Sequence, residues 1–147
     1  MSSSTFSILR HAIYSFLSRQ YIVPFTSPTI TLVLTQGPAL KLSQPERAFQ
    51  TLVEAVARLS DHDQAQQLPP DAFTLAYGDC IVGVANPAGL EAMSYGAAVS
   101  SFRGLGEFML ENSEWKNEQE VRISIDDDIV GTMLIKNNPG SGSAETM

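Results

Sequence analysis

The sequence predicts an α+β fold: an antiparallel sheet built from hairpins, with about three helices packed mainly on one face. Three observations predict it. Apolar residues recur at helical spacing in three stretches, β-rich runs separated by turn residues lie between them, and the order helix, strand, strand repeats three times along the chain. No sequence repeat accompanies that repeat of elements. With 147 residues, 44% of them apolar and 17% charged, the chain reads as one globular domain rather than a disordered segment. That domain is expected over residues 1–136, followed by a flexible tail over 137–147 that contains Pro139-Gly140-Ser141-Gly142-Ser143.

Taken in order, Phe6, Leu9, Ile13, Phe16 and Leu17 fall on one helical stripe and predict an amphipathic helix over residues 5–20, closed by Pro24. Thr29 to Thr35 is rich in β-branched residues and predicts a strand. Gln36-Gly37-Pro38 then reads as a turn into a short second strand around Leu40 and Leu42. Ser43 and Glu46 have capping-box spacing with Pro45 between them, so a second helix is expected from there, burying Phe49, Leu52, Val53, Val56 and Leu59. It gives way through Asp61-His62-Asp63 to a Gln-rich, Pro69-Pro70 linker expected to be exposed. Ala72 to Tyr77 and Cys80 to Ala85 predict two strands around Gly78-Asp79, and Asn86-Pro87-Ala88-Gly89 turns the chain again.

The third predicted helix, Leu90 to Asn112, carries the widest apolar face. With Phe102 at the centre of a helical wheel, Tyr95, Ala98, Val99, Leu105, Gly106, Met109 and Leu110 all lie within about 80° of it. Gly96, Ala97, Ser100, Ser101 and Gly104 on the other faces are small and allow another backbone to approach closely. After an acidic connection containing Trp115, Val121 to Ile125 alternates as a strand, Asp126-Asp127-Asp128 turns, and Ile129 to Ile135 returns.

Composition narrows the function classes. The net charge of −7 provides no basic patch for phosphates, so a nucleic-acid partner is not expected. Residues 1–60 carry five basic and two acidic side chains, and residues 61–147 carry four and fourteen, a polarity that suits head-to-tail self-association or a homodimer. One cysteine cannot form an internal disulfide, no signal peptide is read, and Pro24 and Pro28 interrupt the apolar run from Tyr21 to Leu34, so a soluble cytoplasmic protein with no membrane span is the expectation.

No motif fixes a reaction. Asp61-His62-Asp63 reads as surface charge, because adjacent ligands seldom converge on one centre, and Asp126-Asp127-Asp128 lacks the glycine and distal glutamate of a calcium loop. No metal is expected. Cys80 beside Asp79 reads as an unreactive buried thiol. Neither His11 nor His62 belongs to a recognisable triad, and no phosphate loop or dinucleotide fingerprint occurs, so no cofactor is expected. What remains is a pocket bordered by the third helix. Arg103 and Glu107, at about 100° and 140° from Phe102 on the wheel, can stand at its polar rim, and Tyr95 can bring a hydroxyl into it.

Pro28-Thr29-Ile30-Thr31-Leu32, Met93-Ser94-Tyr95-Gly96 leading into Phe102-Arg103-Gly104-Leu105-Gly106-Glu107-Phe108-Met109, and Ile125-Asp126 with the Val130-Gly131 return make the chain resemble a loosely defined set of small fungal proteins that lack an assigned function. The resemblance implies an α+β fold and no catalytic residue, and many of its members are secreted. By analogy of size and source, small fungal proteins without cofactor motifs include natural-product tailoring enzymes such as cyclases, isomerases and pericyclases. Such chemistry needs a shaped apolar cavity and one or two donors. The leading expectation is therefore a cofactor-independent protein that binds a hydrophobic small molecule between the third helix and the sheet, with Arg103 and Tyr95 catalytic and Val99, Phe102 and Glu107 binding substrate. The competing expectation is a non-catalytic interaction or dimerisation module. An enclosed apolar cavity favours the first, and a solid core with an exposed apolar face favours the second.

Overall fold

A computed structural model describes residues 18–112 and 116–139. The elements are β1 (Ser18–Ile22), β2 (Ile30–Ala39), α1 (Arg47–Ser60), β3 (Phe73–Tyr77), β4 (Cys80–Ala85), α2 (Tyr95–Glu111), β5 (Asn117–Ile125) and β6 (Asp128–Asn137). Three hairpins join into one six-stranded antiparallel sheet in the order β1-β2-β5-β6-β4-β3, so the last hairpin to emerge from the chain lies at the centre. Both edges fall to five-residue strands, which limits the length of unpaired backbone offered to other chains.

Period-two alternation sets which face is covered. Ile30, Leu32 and Leu34 of β2, Val121 and Ile123 of β5, Met133 and Ile135 of β6, and Val82 and Val84 of β4 are buried under the helices. α1 packs over β3 and β4 while α2 packs over β1 and β2, and the two helices pack against each other. Val130 and Gly131 are buried in succession because the β5–β6 register shifts beside Ile123, leaving Val130 as an extra residue in the ladder. At Gly131 a side chain would collide with the Ala85 carbonyl oxygen, so glycine is required there.

Two tight turns follow from local chemistry. Gly78 has a φ of 60° and Asp79 does not share it, the pattern of a two-residue turn that needs glycine first. Asp126 and Asp127 both lie in the left-handed region, at φ of 49° and 72°, which a short polar side chain tolerates.

Several expectations are corrected. Of the three predicted helices, the described residues contain two. The first, over 5–20, lies outside them up to residue 17, and its last residues, Ser18 to Gln20, form part of β1 instead. Pairing from Ser18↔Thr35 to Ile22↔Thr31 gives this segment backbone partners that a helical reading could not foresee. Gln36-Gly37-Pro38 does not turn, and β2 runs through it. The register against β5 is irregular between Gln36 and Ala39, so Pro38 sits where no ladder N–H is needed. No second strand forms at Leu40 and Leu42, which pack on the margin of the core. The capping box is not made. The Ser43 N–H donates to Asp79 Oδ2 at 2.6 Å, and the helix starts one turn later with Glu46 at its cap.

The linker after α1 is not wholly exposed. Leu68 is buried, its N–H bonded to the Met93 carbonyl at 2.8 Å, and Gln64 and Gln66 carbonyls accept from Gly96 and Tyr95. The third predicted helix begins at Tyr95 rather than Leu90, because the Ser94 hydroxyl caps it by accepting the Ala97 N–H at 3.1 Å. β6 reaches Asn137, the first residue of the predicted tail. Trp115 and residues 140–147 lie outside the described residues.

Candidate functional site

Around Phe102 the space between α2 and the sheet is filled. Phe102, Leu105 and Ala98 are fully buried there with Leu32, Leu34 and Ile123. Gly104 brings the helix so close that an added Cβ would sit 2.6 Å from Val23 Cγ2. Around Phe102 and Gly104 the small side chains on α2 let the two layers close on each other, and the space that remains between helix and sheet is an open concavity of about 360 Å³ at the N-terminal end of α2, where Ser94, Gly96, Ala97 and Ser100 face Ile30, Ile125 and the β1–β2 loop, away from Phe102, Arg103 and Glu107.

A larger apolar concavity lies on the opposite side of the helix pair. Phe49, Leu52, Val53 and Val56 of α1 face Val99, Phe102, Gly106 and Leu110 of α2 across an open groove of about 480 Å³. Arg103 and Glu107 stand on its α2 wall. Its origin is legible in the register of α1. The small residues Ala48, Thr51 and Ala55, together with Leu52 and Leu59, turn into the core, which rotates the larger Phe49, Val53 and Val56 outward. Val53 is 68% exposed, and Leu110 opposite is also 68% exposed. Two large apolar side chains so exposed, facing one concavity, differ from the scattered single apolar residues of an ordinary surface.

Arg103 is committed within the fold. Its Nε lies 3.2 Å from Glu107 Oε1, one helical turn away, and its Nη2 donates to the Pro24 carbonyl at 2.9 Å. Glu107 Oε2 accepts the Tyr21 hydroxyl at 3.0 Å. This cluster fastens the β1–β2 loop to α2. Burial first, then the hydrogen bond to Glu107 and the charges of Glu107 and Glu111, push the Tyr21 phenol up to about 12.

The predicted site residues thus divide. Val99, Phe102, Arg103 and Glu107 come together on one wall of the groove. Tyr95 does not join them: it starts α2, is buried, and stacks on His62 with ring centroids 4.2 Å apart and planes 7° from parallel. Periodicity alone places Phe49, Leu52, Val53 and Val56 of α1, and Gly106 and Leu110 of α2, in the core, so the α1 wall is not legible from it. The signal that can find them is an apolar arc on both helices wider than one sheet-facing side requires.

Several polar groups outside the groove have structural partners. Burial pushes the Cys80 thiol up, as suits an unreactive cysteine. The Asp79 carboxyl is held below its ordinary range, first by the Ser43 N–H, while Arg47 lies over the Tyr77 ring at 5.0 Å. Asp63 accepts the Ala65 N–H, and Asp126 accepts the Thr29 N–H. Among the described residues no group of three His, Cys, Asp or Glu side chains is placed to hold a metal, and no helix is long and apolar enough to cross a membrane. Comparison with protein-family models, with curated proteins and with solved structures finds no match.

Proposed function

We propose that the protein is a non-catalytic interaction module whose working surface is the groove between α1 and α2, and that the groove takes an amphipathic helix. The observation that carries this reading is the pairing of Val53 and Leu110, both largely exposed, across an open concavity with apolar walls. A helix laid between two helices presents side chains at i, i+3, i+4 and i+7, the spacing such a groove accepts. The charged residues that line the groove, Arg103 and Glu107, pair with each other, so the walls meet an occupant through apolar contact rather than through net charge. The reading as a cofactor-free cyclase, isomerase or pericyclase has less support. It needs a donor free to meet substrate inside an enclosed cavity, whereas the groove is open and Arg103 is taken up by Glu107 and Pro24.

The test is a titration with a synthetic 14-residue helix carrying leucine on one face and lysine on the other, followed by methyl NMR. Shifts concentrated at Val53, Val99 and Leu110, absent with a scrambled peptide of the same composition, are the expected result. Shifts centred on Val33 and Leu134 of the open sheet face, or identical behaviour of the scrambled peptide, would remove the groove as the working surface. An affinity on the order of 10 μM corresponds to about −7 kcal/mol, reasonable for a short groove.

A further inference from the structure

Both described helices pack on one face of the sheet, so the other face is uncovered among the described residues. At its centre Val33, Thr35, Glu120, Arg122, Thr132 and Leu134 line a shallow hollow of about 340 Å³. Two charges stand in this otherwise uncharged patch, and neither is answered by its own sheet. Arg122 lies between Val33 and Thr132 in the ladder and Glu120 between Thr35 and Leu134, whereas a solvated face gains from opposite charges directly across the strands. The two are exposed and stand two positions apart on β5, yet among the described residues neither side chain makes an ion pair or a hydrogen bond.

We propose that this face is the contact between two copies of the chain, packed sheet to sheet about a two-fold axis that crosses the strands at the level of Val121, so that Arg122 of each copy meets Glu120 of the other. A two-fold contact sets a patch against itself, and opposite charges two residues apart on one strand complement each other when the axis runs between the two sheets and passes midway between them. The hollow beside Glu120 then receives the incoming guanidinium, whose fork suits a carboxylate. The area is sufficient. Six strands about 4.8 Å apart, the longest of them nine or ten residues at about 3.4 Å each, lay out a face of about 700 Å², close to the roughly 800 Å² per partner of a standard interface. Electrostatics favour this face as well: at a net charge of −7 two copies repel, whereas the centre of this patch is neutral. Because the helices lie on the far side of each sheet, the dimer carries its two α1–α2 grooves on opposite outer surfaces. The contact stands apart from the groove reading; if that reading holds, the dimer bridges two partner helices.

The experiment is sedimentation velocity of the full chain over about 1–100 μM, the range in which a dimer of micromolar affinity dissociates. The parent should sediment as a dimer at the upper end. Arg122→Glu and Glu120→Arg each set like charges against each other and should each weaken dimerisation about tenfold or more. The double variant Glu120→Arg with Arg122→Glu should recover the parent's dimer, and an equimolar mixture of the two single variants should form a mixed dimer at least tenfold tighter than either alone. A parent that stays monomeric, or single reversals that associate as the parent does, would overturn the inference and leave the groove reading standing. Loss of the dimer on Val53→Asp but not on charge reversal would place the contact in the groove and overturn it likewise. A second measurement needs no variant: in a parent sample mixed from labelled and unlabelled chains, intermolecular NOEs should connect Val33 with Thr35 of the second copy, and a dimer without them contradicts this packing.

Discussion

The two sides of α2 contrast. Toward the sheet, Gly104 and Ala98 let Val23 and Leu32 press against the helix until no side chain larger than hydrogen fits at position 104. Toward α1, two residues on, Gly106 leaves ordinary room, where an added Cβ would meet only Leu52 Cδ1 at 3.6 Å. Both glycines weaken the helix by a similar backbone cost. Close packing repays the first and nothing comparable repays the second. The difference teaches that apolar, small residues on one helix serve two purposes, and that only the surroundings of each position tell which.

Four substitutions sharpen this contrast, beginning with the largest expected effect. Phe102→Ala empties a fully buried site and should destabilise the fold by about 3–5 kcal/mol in denaturant melts. A loss below about 1 kcal/mol would mean that the helix face is wrongly assigned. Gly104→Ala should cost about 1–3 kcal/mol, because the new methyl meets the stiff Val23 side chain and forces the layers apart. Gly106→Ala should have the opposite sign, stabilising by about 0.5–1 kcal/mol through helix propensity while partly filling the groove floor. Equal effects at the two glycines would erase the distinction between the faces. Arg103→Ala should change stability by about 0–1 kcal/mol, since its partner Glu107 and the guanidinium itself are both substantially exposed.

A pH prediction concerns the polar cluster behind the groove wall. The Tyr21 phenol has its proton held more tightly in the folded state than in the unfolded chain, so its contribution is fully present below about pH 10 and is lost as pH rises toward about 12. Thermal melts should therefore fall more steeply between those values for the parent than for Tyr21→Phe. Parallel slopes would show that the hydroxyl does not bond to Glu107.

The α+β class and the antiparallel hairpins were legible in the sequence because their signals are local. Gly78-Asp79 and Asp126-Asp127 name their own turns, and Val121 to Ile125 alternates openly. β1 was not legible, since what makes Ser18 to Ile22 a strand is the partner at Thr31 to Thr35. Gly37-Pro38 misled for the same reason: turn residues also mark an irregularity in a continuous strand, and only the facing strand decides. The candidate site was half legible. A helical wheel finds that Val99, Phe102, Arg103 and Glu107 share an arc, but it does not contain α1, so it cannot reveal that the arc's outer margin meets Val53 and Val56 rather than the sheet.

The central claim is that the outer margin of the helix pair binds while the inner margin holds the fold. Val53→Asp tests both halves in one protein, by denaturant melting alongside titration with the synthetic leucine–lysine helix. The account predicts stability within about 0.5 kcal/mol of the parent, as for an exposed position, and affinity reduced at least tenfold, about 1.4 kcal/mol. Unchanged affinity, or a loss of several kcal/mol of stability, would contradict it.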